Sequence, residues 1–121
     1  RSTLMRSSAA SDVYKRQDIY TVGKTFDTFT AALEALYDKT ENKTATYEDG
    51  KAIRTFWKDK KKGLHVWIPH VSIENIDYQL NEALGYLYEG KYDDALPKIE
   101  VLIEMAEKIP KSYSFSFENI F

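Results

Sequence analysis

The sequence predicts an all-α fold, a small antiparallel bundle of about four helices with an extended C-terminal aromatic tail. Three observations predict it. Apolar residues recur at three- and four-residue intervals through four successive segments, the links between those segments are short, and no stripe lasts long enough for an independent coiled coil. Each segment has one oily face and needs the others to cover it. With 121 residues, of which 43% are hydrophobic, the chain supports one core and not two.

The first helix is predicted from Asp18 onward, because Ile19, Val22, Phe26, Phe29, Leu33 and Leu36 fall on one face of a 3.6-residue repeat. Gly23 costs it up to about 1 kcal/mol relative to alanine. The polar, capless run "DKTENKT", Asp38 to Thr44, is where it should end. A second helix is expected near Thr46, whose hydroxyl can cap while Glu48 and Asp49 occupy the first turn against the positive end of the helix dipole. Its buried stripe is Ile53, Trp57, Leu64 and Ile68, widened by Phe56 and Trp67, and Pro69 stops or kinks it.

Ser72 is the expected cap of the third helix, with the stripe Ile73, Ile76, Leu80, Leu84 and Leu87 and an end at Gly90. Asp93 and Asp94 open the fourth, whose stripe is Ala95, Ile99, Leu102, Ala106 and Ile109 and which Lys108 and then Pro110 close. Pro97 suggests an irregular first turn there. Beyond Pro110 the residues Tyr113, Phe115 and Phe117 alternate with serines, a period of two that reads as an extended segment lying across the bundle. The stretch "LGYLYEGKYDDAL", Leu84 to Leu96, resembles the helix-turn-helix of a tetratricopeptide repeat, although it falls two residues short and has no second copy.

Residues 1–17, "RSTLMRSSAASDVYKRQ", stand apart from this pattern. They have no initiator methionine, no sustained periodicity and no apolar centre of a signal peptide. The part "SSAASDVYKRQ" resembles a translated sequencing-adapter tail, which implies a segment that never evolved with the fold; a disordered N-terminal arm is the alternative. The chain is therefore divided into a non-native or disordered segment, 1–17, and a helical bundle domain, 18–121.

Composition excludes several chemistries. The formal net charge is -2, which recommends no polyanionic partner, and nucleic acid is not expected. The absence of cysteine removes disulfides, thiol nucleophiles and thiolate zinc sites. The chain carries no run of 18 apolar residues. It also shows no nucleophile elbow, Walker loop, dinucleotide fingerprint or paired HExxH helix, so an enzyme is not expected, and neither is a cofactor.

Trp57 followed by Lys58, Lys60, Lys61 and Lys62, then Leu64, "IPH" at Ile68 to His70, "IENID" at Ile73 to Asp77, "KIEVLIEMAEKIP" at Lys98 to Pro110 and the terminal "ENIF" together resemble an uncharacterised bacterial family of membrane-anchored helical proteins, classed as a domain of unknown function. The likeness covers roughly residues 24–121. It implies a single membrane-spanning helix, followed by a soluble helical region on the extracytoplasmic side of the bacterial cytoplasmic membrane. The anchor would stand where residues 1–17 now are. The resemblance brings no activity with it.

The most chemical-looking stretch is "GLHVWIPHVSIENID", Gly63 to Asp77. His65, His70 and Glu74 offer nitrogen and oxygen ligands, but Pro69 intervenes and nothing completes a ligand set, so no metal is expected. The alternative is a corner in which His70 bonds to Glu74, Asp77 or a free carbonyl at a helix end. The candidate ligand or partner site is a cleft near Trp57, His70, Glu74 and Asp77. The lysines of "KDKKKG" read as a solvated face, or as a contact for anionic lipid headgroups; Glu100, Glu104 and Glu107 read as solvated. Tyr113, Phe115 and Phe117 are candidate partner contacts in the tail. Two functions follow: a non-catalytic helical interaction domain of a membrane-anchored extracytoplasmic protein, with a protein partner, or a small-ligand or metal-binding bundle. A tetratricopeptide-like protein-interaction module is a further alternative.

Overall fold

The computed structural model describes residues 19–112 with their side chains. Four helices follow one another, α1 (Ser2–Glu41), α2 (Tyr47–Lys61), α3 (His70–Tyr88) and α4 (Tyr92–Glu118). All regular structure among the described residues is helical. The segment 1–17, and the expected extended tail with Tyr113, Phe115 and Phe117, lie outside the described residues.

The predicted stripes are the core. Val22, Phe26, Phe29, Leu33 and Leu36 of α1 are buried, as are Ile73, Ile76, Leu80, Leu84 and Leu87 of α3 and Ala95, Ile99, Leu102 and Ala106 of α4. Ile19 and Ile109 are half-buried, at the margins of their stripes. Close backbone approaches join α1 to α2 and α4, and α3 to α2 and α4, but neither diagonal pair among the described residues. That cyclic order, with links of a few residues, is an up-and-down four-helix bundle. On the α2–α3 seam Gly50 is tightly packed: a Cβ there would stand 3.0 Å from Leu84 Cδ1 and 3.3 Å from Leu87 Cδ1. A larger side chain there would force the helices apart.

Local chemistry sets the helix ends. Thr46 caps α2 as expected: its hydroxyl accepts from the Asp49 N–H, and the Asp49 carboxylate accepts from the Thr46 N–H at 2.9 Å. This reciprocal capping box holds the Asp49 carboxyl below the usual carboxylate range, with the Thr46 backbone bond as the largest cause. Gly90, at φ 71°, ends α3 in a Schellman motif, with Gly90 N–H bonding Leu87 O and Lys91 N–H bonding Tyr86 O. The end of α1, expected to be capless, uses the same device. Lys43 takes the left-handed position at φ 59°, and the Lys43 and Thr44 N–H groups bond Thr40 O and Lys39 O.

Three boundaries differ from expectation. First, α2 stops at Lys61, and Leu64 and Ile68 are buried from irregular turns and not from a continuing helix. Gly63 disfavours continuation, and the chain tightens through Gly63 N–H to Lys60 O and Leu64 N–H to Lys61 O, bonds that span three residues instead of four. Second, Ser72 does not cap α3. Pro69 holds the cap position in an extended conformation without a side-chain bond, so the helix begins at His70, and Ser72 lies inside it. Third, Pro110 does not close α4, which carries both Pro97 and Pro110 within it. Pro110 removes one backbone bond, at about 3 kcal/mol in a free helix. The Ser112 hydroxyl continues the helical pattern by donating to Lys108 O at 2.9 Å, and burial of Ala106 and partial burial of Ile109 hold this part of α4 on the bundle.

Candidate functional site

The α2–α3 seam is built around Trp57, which is fully buried. Its ring stacks on Phe29 at 4.8 Å between centroids and meets Phe26 at 6.0 Å, while Phe56 stacks on the far side of the cluster, 6.4 Å from Phe29. An indole in so apolar a setting must still satisfy its N–H. It does so across the seam, where Trp57 Nε1 donates to Asp77 Oδ1 at 2.7 Å. The second carboxylate oxygen accepts from Lys61 Nζ at 3.0 Å. Asp77 thus joins one turn of α3 to two consecutive turns of α2, through residues spaced four apart on α2.

Toward the start of α3, with Glu74 about one turn and His70 about two turns from Asp77, His70 Nε2 stands 2.8 Å from Glu74 Oε1. The His70 side chain is exposed and that of Glu74 half-buried. The His65 ring lies 5.4 Å from the His70 ring at 32°, so the turns after α2 fold back onto the start of α3. Among the described residues no three His, Cys, Asp or Glu side chains are grouped to hold a metal ion.

The four predicted site residues are therefore brought near one another as two separate pairs, Trp57 with Asp77 and His70 with Glu74. Each pair already has its hydrogen-bonding partner within the chain. Sequence reading missed Lys61, grouped there with the solvated lysines; the four-residue step from Trp57 was the signal that could have separated it. It also missed Arg54, which donates to Tyr47 Oη at 3.1 Å and to Asn81 Oδ1 at 3.3 Å and lies 6.0 Å from the Tyr47 ring centre. Tyr47 in turn meets Tyr88 edge-on at 5.4 Å. On α4, Glu100, Glu104 and Glu107 are exposed as expected. Lys98 pairs with Glu82 of α3 at 2.7 Å, and that hydrogen bond raises its pKa above the ordinary lysine value.

Fold and site together define a small all-α bundle whose polar side chains serve mainly to tie helix to helix. The chain belongs to a family described as Domain of unknown function (DUF4363), whose family model matches residues 13–120. Comparison with curated proteins and with solved structures found no match.

Proposed function

We propose that this chain is a non-catalytic helical interaction domain, displayed by a membrane-anchored protein on the outer side of the cytoplasmic membrane. One observation carries the reading. The side chains that looked chemical, Trp57, Asp77, His70 and Glu74, are occupied by one another or by Lys61, whereas aromatic side chains and small aliphatic ones lie exposed, among them Tyr20, Tyr78 and Tyr88, and Val66 and Val71. Aromatic residues exposed on a rigid scaffold suit protein contact, because they bury much area at small entropic cost. The resemblance in the "IPH", "IENID" and "KIEVLIEMAEKIP" stretches supports the placement at a membrane; among the described residues no helix is long and apolar enough to cross one.

Two experiments test the two parts. A thermal-shift screen of the full chain against divalent metals and small polar metabolites should show no stabilisation. A true ligand at 100 times its dissociation constant would stabilise by about 2.7 kcal/mol, and such a shift would replace the interaction reading with the ligand-binding one. Expression from the native gene, followed by carbonate extraction and protease treatment of spheroplasts, should leave the protein in the membrane fraction and open to external protease. Recovery in the soluble fraction, or protection until lysis, would overturn the placement.

A further inference from the structure

We infer that the end of the bundle formed by the turns between α2 and α3 seats on an anionic phospholipid surface through Val66 and Val71, flanked by Lys24, Lys60 and Lys62. Val66 is 80% exposed and Val71 62%, although each is a short aliphatic side chain that gains nothing from water. They belong to one surface, because the His65–His70 ring contact folds residues 65 and 70 together and carries their neighbours Val66 and Val71 to the same end of the molecule. The surface extends onto α1. Lys60, Val66 and Trp67 line one shallow cleft with Thr21, Thr25 and the carboxylate Asp59, and Lys60 lines the adjoining one with Tyr20 and Lys24. Tyr20 is 70% exposed, so an aromatic ring with a polar tip stands at the edge of the patch, as suits a headgroup layer.

Charge complementarity selects the occupant. From residue 58 to 73 the sequence holds four lysines and a single carboxylate, Asp59, while the chain as a whole is net acidic. Lys61 is taken by Asp77, and Lys60 lies 4.0 Å from the exposed Asp59, a loose pair. Lys24 and Lys62 have no carboxylate partner among the described residues. An acidic protein would satisfy the lysines equally well, but a flexible apolar layer bordered by phosphates accepts both two small protruding valines and the cations beside them without a shaped pocket. The inference does not depend on an upstream anchor, because it concerns contact made by this surface itself.

The test is sedimentation of the full chain with vesicles of phosphatidylcholine alone and of phosphatidylcholine mixed with phosphatidylglycerol, at low and high salt. Binding is expected only to the anionic vesicles, and salt should weaken it. Each lysine near such a surface is worth about fivefold in partitioning, so Lys60→Gln with Lys62→Gln should cost about 25-fold. Val66→Ser with Val71→Ser should cost about tenfold in partitioning at fixed salt, and should reduce quenching of tryptophan fluorescence by brominated-chain lipid in proportion. These positions are exposed, and circular dichroism with melting curves would show that the variants keep the fold. Failure to sediment with anionic vesicles at low salt would overturn the inference, as would equal binding to phosphatidylcholine or unchanged binding by the lysine variant. None of these three results tests protein contact through the exposed Tyr78 and Tyr88.

Discussion

Replacing Asp77 with alanine should destabilise the bundle far more than a partly exposed carboxylate would suggest. Trp57 is fully buried, and its N–H donates to Asp77 Oδ1 at 2.7 Å. Alanine at 77 leaves that donor in an apolar cluster without an acceptor, which costs about 1–3 kcal/mol. The lost ion pair with Lys61, 28% exposed on each side, adds only about 0.5 kcal/mol. The expected total is about 1.5–3.5 kcal/mol, which for a domain of this size lowers Tm by roughly 5–20 °C. Asp77→Asn keeps an oxygen for the indole and loses only the charge, so it should cost about 1 kcal/mol or less. Urea unfolding followed by circular dichroism would measure these values, and a cycle combining Trp57→Phe with Asp77→Ala should give a coupling of about 1.5 kcal/mol. If Asp77→Ala stays within about 0.5 kcal/mol of wild type, or the cycle shows no coupling, then the bond across the seam does not hold α2 to α3 and the reasoning fails.

Acid should loosen the start of α2. The Asp49 carboxyl is held below its ordinary range by the Thr46 N–H; a depressed pKa in the folded state means stability fully present above the unfolded value of about 4 and lost as pH falls through the lower folded one. Asp49→Asn should therefore flatten the acid limb of a Tm-against-pH curve, and an unchanged limb would count against the capping box. Lys43→Gly should stabilise the chain by about 0.5–1 kcal/mol in urea unfolding, because Lys43 sits at φ 59°, where a Cβ is strained and glycine is not. A loss of stability there would show that the α1–α2 link tolerates the left-handed conformation without cost.

Much of the fold was legible because a helix writes its buried face into local spacing. Phe29, Leu80 and Leu102 lie on different helices, yet each stands in a three-four repeat and each is buried. Thr46 before Asp49, and Gly90 after α3, were likewise readable, since a cap involves residues within one turn. Leu64 and Ile68 show where local reading stops. Their spacing announced burial correctly, but burial is compatible with either a helix or a set of turns, and Gly63 with the folding-back of His65 onto His70 selected the turns. Pro110 shows the converse, a strong local stop signal outweighed by packing against α1.

The candidate site was harder to read because it is made of pairs across space. Trp57 and Asp77 are 20 residues apart on different helices, and no periodicity within either helix says that one must bond to the other. His70 and Glu74, four apart, were readable as a pair, but their exposure was not.

The amino-acid sequence alone determined that this chain has four amphipathic helices, which side chain of each faces inward, and where two of the caps lie, because those properties depend on neighbours within about one turn. Only the tertiary structure decided that Asp77 is spent on the Trp57 indole and Lys61, that Lys43 takes the left-handed turn, and that Val66 and Val71 are exposed. Each of these depends on where one helix stands against another, a relation set by packing of the whole core and by no single stretch of residues.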